Sequence, residues 1–186
     1  MNSLAKFGRP DMDASVEFSH PNVWQREEYP GWSRLTIGAR EREIPLILDF
    51  CRDLDGPFGI LYVLTVSRTG RECARYQDQR PVDYDELALF LYTFQEFLEQ
   101  DGRHHLWVMS VTGEGQFVFD NHNMVHAYGD LDRYESRLVS AGFTPGPVVI
   151  PAPHTHNYHM EFDRAEDELM AYWPWKMFPL EPGDDP

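Results

Sequence analysis

The segment from Asp83 to Gln100 constrains the fold more than any other part of the sequence. Asp83 and Glu86 have the spacing of a helix capping box, and Gly102 provides a stop signal just after Gln100. Between them, apolar side chains recur every three or four residues, at Leu87, Phe90, Leu91, Phe94, Phe97 and Leu98. Because a stripe of this kind is usually part of a core, the pattern predicts a helix that covers another element of the fold.

Several short segments have the β-branched and aromatic composition of strands. Residues 59–67 are apolar on both sides of the predicted strand, which is typical of a strand in the middle of a covered sheet. The other predicted strands are 32–38, 73–76, 105–111, 116–120, 124–128 and 148–150. Short turns join 105–111, 116–120 and 124–128, so these three predict an antiparallel meander.

Three further helices complete the predicted secondary structure. The first begins near Pro45 and ends before Gly56, and the second covers 131–141 with Asp130 as its cap. The third covers 163–172, with Asp163 and Glu166 as a predicted capping pair. Hairpins with interspersed helices predict a single α+β domain, in which helices cover one face of an antiparallel or mixed sheet.

The length of 186 residues also favours one domain. Residues 1–30 contain three prolines and no sustained period, which predicts an extended N-terminal arm of irregular structure. Trp24 and Trp32 are too apolar to remain in water, so we expect both to dock on the domain or on a second copy of it. The domain then covers 31–180, and 181–186 form a frayed tail.

The acidic composition limits the classes of partner. A formal net charge of −15 repels a phosphate backbone, so nucleic acid is not an expected partner. No apolar stretch is long enough to cross a bilayer and the N-terminus does not resemble a signal peptide, so no membrane partner is expected either. Cys51 and Cys73 lie in unrelated contexts, which fits reduced thiols and a cytoplasmic location.

The strongest concentration of chemically active side chains lies between residues 154 and 163. In an extended segment, residues two apart face the same side, so His154 and His156 can present imidazoles to one metal ion. His159 or Glu161 then completes the set from the following turn, for a divalent metal such as Zn²⁺. The alternative is a polar loop whose imidazoles hydrogen-bond to carbonyl groups and carboxylates.

A second group, Asp120, His122 and His126, lies at the predicted meander turn. If this turn faces the His154 loop, the two groups can complete a site of three or four ligands. They can also form an acid–base pair in which Asp120 orients His122. The candidate catalytic residues are therefore Asp120, His122 and Glu161.

The segment 67–71 is basic within an acidic chain. Its arginines and Gly70 suit a small anionic ligand, but no phosphate-binding motif surrounds them. We therefore expect ordinary ion pairs with the abundant carboxylates.

Two functional hypotheses follow, and the sequence does not decide whether the protein is an enzyme. The first is a protein-binding or regulatory module, similar in its physics to an acidic inhibitor, that engages a basic protein partner. The alternative is a metal-dependent enzyme that acts on a small substrate through His154, His156 and His159. Homo-oligomerisation through the N-terminal arm and the apolar segment 173–180 is a third outcome.

Overall fold

The computed structural model describes residues 4–9, 18–40 and 42–184. These residues form eleven strands and five α-helices. The strands are β1 (Phe7–Gly8), β2 (Val23–Tyr29), β3 (Trp32–Gly38), β4 (Phe58–Leu64), β5 (Ala74–Asp78), β6 (His104–Ser110), β7 (Gly115–Phe119), β8 (Met124–Gly129), β9 (Thr144–Pro145), β10 (Thr155–His156) and β11 (Trp175–Phe178). The helices are α1 (Glu43–Cys51), α2 (Tyr84–Thr93), α3 (Gln95–Gln100), α4 (Leu131–Ser140) and α5 (Asp163–Tyr172), and a 3₁₀ turn covers Met160–Phe162.

Nine of these strands form one sheet in the order β11-β5-β4-β6-β7-β8-β3-β2-β9. Its neighbours pair antiparallel, except that β9 pairs parallel with β2. The strands β1 and β10 form a separate two-stranded sheet, in which Phe7 lies opposite His156. The strand β10 of this small sheet carries His156, one of the metal ligands expected from the sequence.

The two faces of the large sheet differ, as the alternation along β6 shows. Leu106 and Val108 are fully buried in the same core as Phe90 of α2, whereas Trp107 is half-buried and Met109 is 44% exposed. Side chains of successive strand residues point to opposite faces, so the helices cover one face and leave the other open. The predicted single α+β domain with helices on one face of the sheet is confirmed.

The helix predicted between Asp83 and Gln100 is confirmed in its start and its apolar face. Asp83 and Glu86 form a complete capping box, and the stripe is buried. The prediction of one continuous helix was wrong, because Phe94 has φ −107° and ψ 10° and separates α2 from α3. The ring of Phe94 is buried against Tyr172 of α5 at a centroid distance of 5.5 Å, a tertiary contact that local periodicity does not reveal.

Two other local predictions were wrong. Residues 148–150 form no strand, and the short strand in this region is β9. Asp163 and Glu166 make no cap on α5, because both carboxylates accept hydrogen bonds from Arg103 instead. A long-range charge has therefore replaced the local interaction that the sequence suggested.

The predicted extended arm is more regular than expected. Residues 1–3 and 10–17 of the arm lie outside the described residues, but β2 contradicts irregular structure for 23–29. Trp24 is buried on the domain, as one of the two expected arrangements required, whereas Trp32 is 47% exposed. In the predicted frayed tail, Asp184 is buried and its carboxylate binds Arg75 at 2.7 and 2.9 Å, while residues 185–186 lie outside the described range.

The apolar segment 173–180 packs only in part against the rest of the chain, and Met177 and Leu180 are 50% and 38% exposed. The strand β11 pairs with β5 at one edge of the sheet, and Trp173 stacks on Phe90 at 4.4 Å. None of the helices in the described ranges combines the length and the apolar character needed to span a bilayer.

Candidate metal centre

The turn between β7 and β8 positions His122. The Oδ1 atom of Asp120 accepts hydrogen bonds from the backbone N–H groups of His122 and Met124, both at 2.9 Å. Asn123 has a positive φ of 55°, a conformation that asparagine tolerates better than most residues. The turn is thus fixed by its own polar side chains, and the imidazole of His122 projects from a rigid base.

The segment that follows β9 positions His154 and His156. The strand β10 pairs with β1, and the backbone of this segment is further tied to residues 5–6 and 102. Asn157 donates its backbone N–H to the Lys6 carbonyl at 2.9 Å, and Gly102 donates to the Asn157 carbonyl at 2.9 Å. A Cβ atom on Gly102 would lie 2.9 Å from the Lys6 carbonyl oxygen and 3.1 Å from the His156 Cβ, so glycine permits this close approach.

These elements bring three histidines together. One ring nitrogen from each of His122, His154 and His156 lies within 4.8 Å of the other two. The Nε2 atoms of His122 and His154 are 3.0 Å apart. Two nitrogens bound to one tetrahedral Zn²⁺ at 2.0–2.1 Å lie about 3.4 Å apart, so small ring movements suffice to accommodate an ion.

The hydrogen bonds around these rings determine which nitrogens present lone pairs. His154 Nδ1 lies 3.0 Å from the Pro151 carbonyl oxygen. A carbonyl only accepts, so Nδ1 carries the hydrogen and Nε2 presents a lone pair to His122. His156 Nδ1 is buried and has no hydrogen-bond partner among the described residues. The cluster therefore contains imidazole nitrogens suited to a metal ion.

Electrostatics around the cluster favour neutral imidazole and an ionised Asp120. Burial, together with the neighbouring His122 and His154, lowers the pKa of His156 to about 4. Burial opposes ionisation of Asp120, but the neighbouring His122 and His126 and the backbone N–H of Met124 hold the pKa of this carboxyl well below its usual range. Neutral imidazole is the form that binds metals, and a carboxylate nearby favours a cation.

Asp120 lies behind His122 rather than among the converging nitrogens. Its Oδ2 atom is 3.8 Å from His122 Nδ1 and 3.3 Å from His126 Nε2. His126 in turn contacts the hydroxyl of Thr36 at 3.1 Å. A carboxylate behind a metal-binding histidine orients the ring and selects its tautomer, which is the role that this geometry suits.

One side of the cluster is closed by the N-terminal residues. Phe7 is 1% exposed, and its ring centroid lies 5.6, 6.2 and 6.3 Å from the rings of His122, His154 and His156. Beside it, the buried ammonium of Lys6 donates to the carbonyls of Leu98 and Asp120, both at 2.9 Å. Burial lowers the pKa of Lys6 to about 8.

The structure brings together two of the three metal ligands proposed from the sequence. His159 is oriented elsewhere: its Nε2–H donates to the Ala5 carbonyl at 2.9 Å, and its backbone N–H donates to Asp101 at 2.8 Å. His122, which the sequence analysis gives as a candidate catalytic residue, lies next to His154 and takes the place in the cluster that was expected for His159. The signal for this arrangement is the predicted turn of the meander between β7 and β8, which we expected to be able to face the His154 loop.

The candidate bases are less available than the candidate ligands. Both carboxylate oxygens of Asp120 are engaged, with two backbone N–H groups on one and two imidazoles nearby on the other. Glu161 is exposed on the 3₁₀ turn, where it lines a groove between α3 and α5. Neither carboxylate belongs to the group of converging ring nitrogens.

The basic segment 67–71 forms the ion pairs expected of it. Arg68 contacts Asp163 at 3.1 Å, and Arg71 contacts Asp167 at 2.9 Å. The interpretation as ordinary ion pairing is therefore confirmed for these two arginines.

Comparison of the chain with protein-family models, with curated proteins and with solved structures found no match.

Proposed function

We propose that the protein binds one divalent transition-metal ion, of the Zn²⁺ class, through His122, His154 and His156. The observation that carries this proposal is the convergence of three ring nitrogens within 4.8 Å of one another, two of them 3.0 Å apart. Imidazole suits Zn²⁺, Cu²⁺, Fe²⁺ and Ni²⁺ better than Mg²⁺ or Ca²⁺, which prefer oxygen ligands.

The metal-bound and metal-free forms of the protein differ in the tautomer of His122. Without metal, His122 Nε2–H donates to His154 Nε2, since His154 uses its Nδ1–H for Pro151. With metal, His122 must present a lone pair at Nε2, so its hydrogen moves to Nδ1, on the side of Asp120. The carboxylate then accepts that hydrogen once the present 3.8 Å separation shortens, which stabilises the ligand form of His122.

Metal content tests this proposal directly. Protein purified without chelators is analysed by mass spectrometry for bound metal and titrated with Zn²⁺ by calorimetry. We expect stoichiometric binding, and its loss in the His154→Ala/His156→Ala double variant. His159→Gln is the matched control, because this histidine lies in the same loop but binds Ala5, and a glutamine amide can donate to the same carbonyl. Stoichiometric binding that survives in the double variant would refute the assignment.

We also propose a second function, recognition of a basic protein partner, which a separate groove supports. The groove lies between α3, the 3₁₀ turn and α5 and has a volume of about 260 Å³. Its lining residues are Thr93, Phe94, Glu96, Phe97, Glu161, Phe162, Arg164, Ala165 and Glu168. The single arginine is paired with Glu168 at 2.7 Å, which leaves the carboxylates of Glu96 and Glu161 exposed beside phenylalanine rings.

The surroundings of the groove suit a cationic and partly apolar segment. Leu89 and Tyr92 are 63% and 55% exposed on α2, whose last residue lines the groove, and Met160 beside Glu161 is 69% exposed. Carboxylates next to exposed apolar side chains complement an amphipathic segment that carries lysine or arginine.

Binding of a fluorescent amphipathic Lys/Leu peptide, measured by polarisation, tests this second proposal. We expect saturable binding that weakens with salt and is lost in Glu96→Lys/Glu161→Lys. The control is Asp55→Lys combined with Glu72→Lys, which changes the net charge by the same amount at exposed positions outside the groove. Equal loss in both variants would show that only the total charge of the protein matters.

A further inference from the structure

We propose that the metal centre keeps an exchangeable coordination position and binds a small anionic ligand there, such as a substrate carboxylate. This inference rests on the proposed metal site and adds to it the chemical class of what the metal binds. It places the protein among centres that act on a ligand, in contrast to those in which the metal only holds the chain together.

The number of protein donors indicates an open coordination position on the metal. Structural zinc sites almost always use four protein ligands, whereas catalytic sites use three and leave the fourth position to water or substrate. In the described ranges, the converging group consists of His122, His154 and His156. Among the described residues, Asp120 is held on the far side of His122 by two backbone N–H groups and does not compete for the metal.

The charge of the donors favours an anion as the additional ligand. Three imidazoles bind as neutral ligands, so a divalent ion at this centre keeps its full charge of 2+. Just outside the ligands, the buried amino group of Lys6 donates to the backbone carbonyl of Asp120 at 2.9 Å, so a basic group lies close to this carboxyl residue. An incoming anion is therefore attracted by the metal itself.

The walls of the site limit the size of the ligand. Phe7 closes one side and is almost completely buried against the edges of the three rings. The three histidines themselves are only half-buried, and the His122 side chain is 19% exposed. A ligand thus reaches the metal from solvent, beside an apolar wall, and a compact anion fits this access best.

Cobalt substitution provides the test, because the visible bands of Co²⁺ report its coordination. The metal-free protein is first loaded with Co²⁺, and the visible spectrum is then recorded during titration with azide and, separately, with acetate. We expect bands that require His154 and His156 and that shift in a saturable manner, with one anion bound per metal. His159→Gln is again the control and is expected to respond like the natural sequence.

The outcomes separate the two proposals. Stoichiometric Co²⁺ binding with a spectrum that neither anion changes would overturn the exchangeable position and leave the metal site intact. Failure to bind Co²⁺ or Zn²⁺ at all would overturn the metal site and this inference with it. An anion response that is identical in the His154→Ala/His156→Ala variant would place the responding metal elsewhere and would also overturn the inference.

Discussion

Replacement of Arg103 by methionine is expected to produce a large loss of stability. The guanidinium is fully buried and donates five hydrogen bonds. Two go to Asp101, at 2.7 and 2.9 Å, one to Glu166 at 2.8 Å and one to Asp163 at 3.1 Å. The fifth goes to the carbonyl of His159 at 2.7 Å, so Arg103 also holds the segment that leads away from the histidine cluster.

The magnitude follows from what the substitution leaves behind. The side chains of Asp101 and Glu166 are both fully buried, and without Arg103 the carboxylate of Asp101 loses its ion-pair partner while Glu166 keeps only Arg71, at 3.9 Å. Removal of one partner of a buried ion pair costs about 3–5 kcal/mol. In a chain of this length each 1 kcal/mol lowers the melting temperature by about 2–4 °C, so a decrease of about 6–20 °C is expected.

Urea unfolding followed by circular dichroism measures this loss. The exposed Arg164, paired with Glu168 at 2.7 Å, provides the control, and Arg164→Met is expected to leave the midpoint nearly unchanged. Adding Asp101→Asn and Glu166→Gln to Arg103→Met should recover part of the stability, because both buried charges are then removed. The reasoning is refuted if Arg103→Met costs no more than Arg164→Met.

Three further predictions concern the acidic interior and the metal centre. Burial, with the nearby Glu99, raises the pKa of Glu43 to about 8, so the folded protein holds this proton more tightly than the unfolded chain does. The free energy of unfolding should therefore fall as pH rises towards 8, by up to about 1.4 kcal/mol per pH unit. Urea unfolding at several pH values should show a weaker pH dependence of stability in Glu43→Gln. Zn²⁺ at about 100 times its Kd should stabilise the fold by about 2.7 kcal/mol, or about 5–11 °C in a thermal melt, and the increase should disappear with EDTA or in His122→Ala. Gly102→Ala should weaken Zn²⁺ binding in calorimetry, because the added Cβ would meet the Lys6 carbonyl and His156. The dissociation constant should rise about tenfold for each 1.4 kcal/mol of strain. Gly146→Ala should bind Zn²⁺ normally, since a Cβ at that position meets nothing closer than 3.9 Å.

Elements with a strong local pattern could be predicted from the sequence. The capping box at Asp83, the meander and the helix capped by Asp130 all depend on side chains close together in the chain, and the structure confirms them. The strand β2 has no such pattern, since its residues 25–28 are polar or charged. One of those charges, Arg26, binds a partner far away in sequence, Asp132, at 2.7 Å.

The candidate site was accessible to sequence reasoning only in part. The spacing of His154 and His156 predicts that their rings meet, and the composition of the turn at Asp120 marks His122 as noteworthy. No local signal shows that His159 faces Ala5, because the carbonyl that it contacts belongs to a residue 154 positions earlier. Arg103 likewise carries no local sign of burial, since its partners Asp163 and Glu166 lie some 60 residues later.

The small sheet formed by β1 and β10 has a consequence for the order in which the protein is made. Asn157 donates to the carbonyl of Ala5 across 152 residues of sequence, and Lys6 reaches Asp120 across 114. At a synthesis rate of about 5–20 residues per second, Phe7 waits roughly 8–30 s before its partner His156 has been added. Contacts of such high sequence separation form late, so the histidine cluster closes only when nearly the whole described chain is present. Metal capture at this centre would thus distinguish a completed chain from a nascent one.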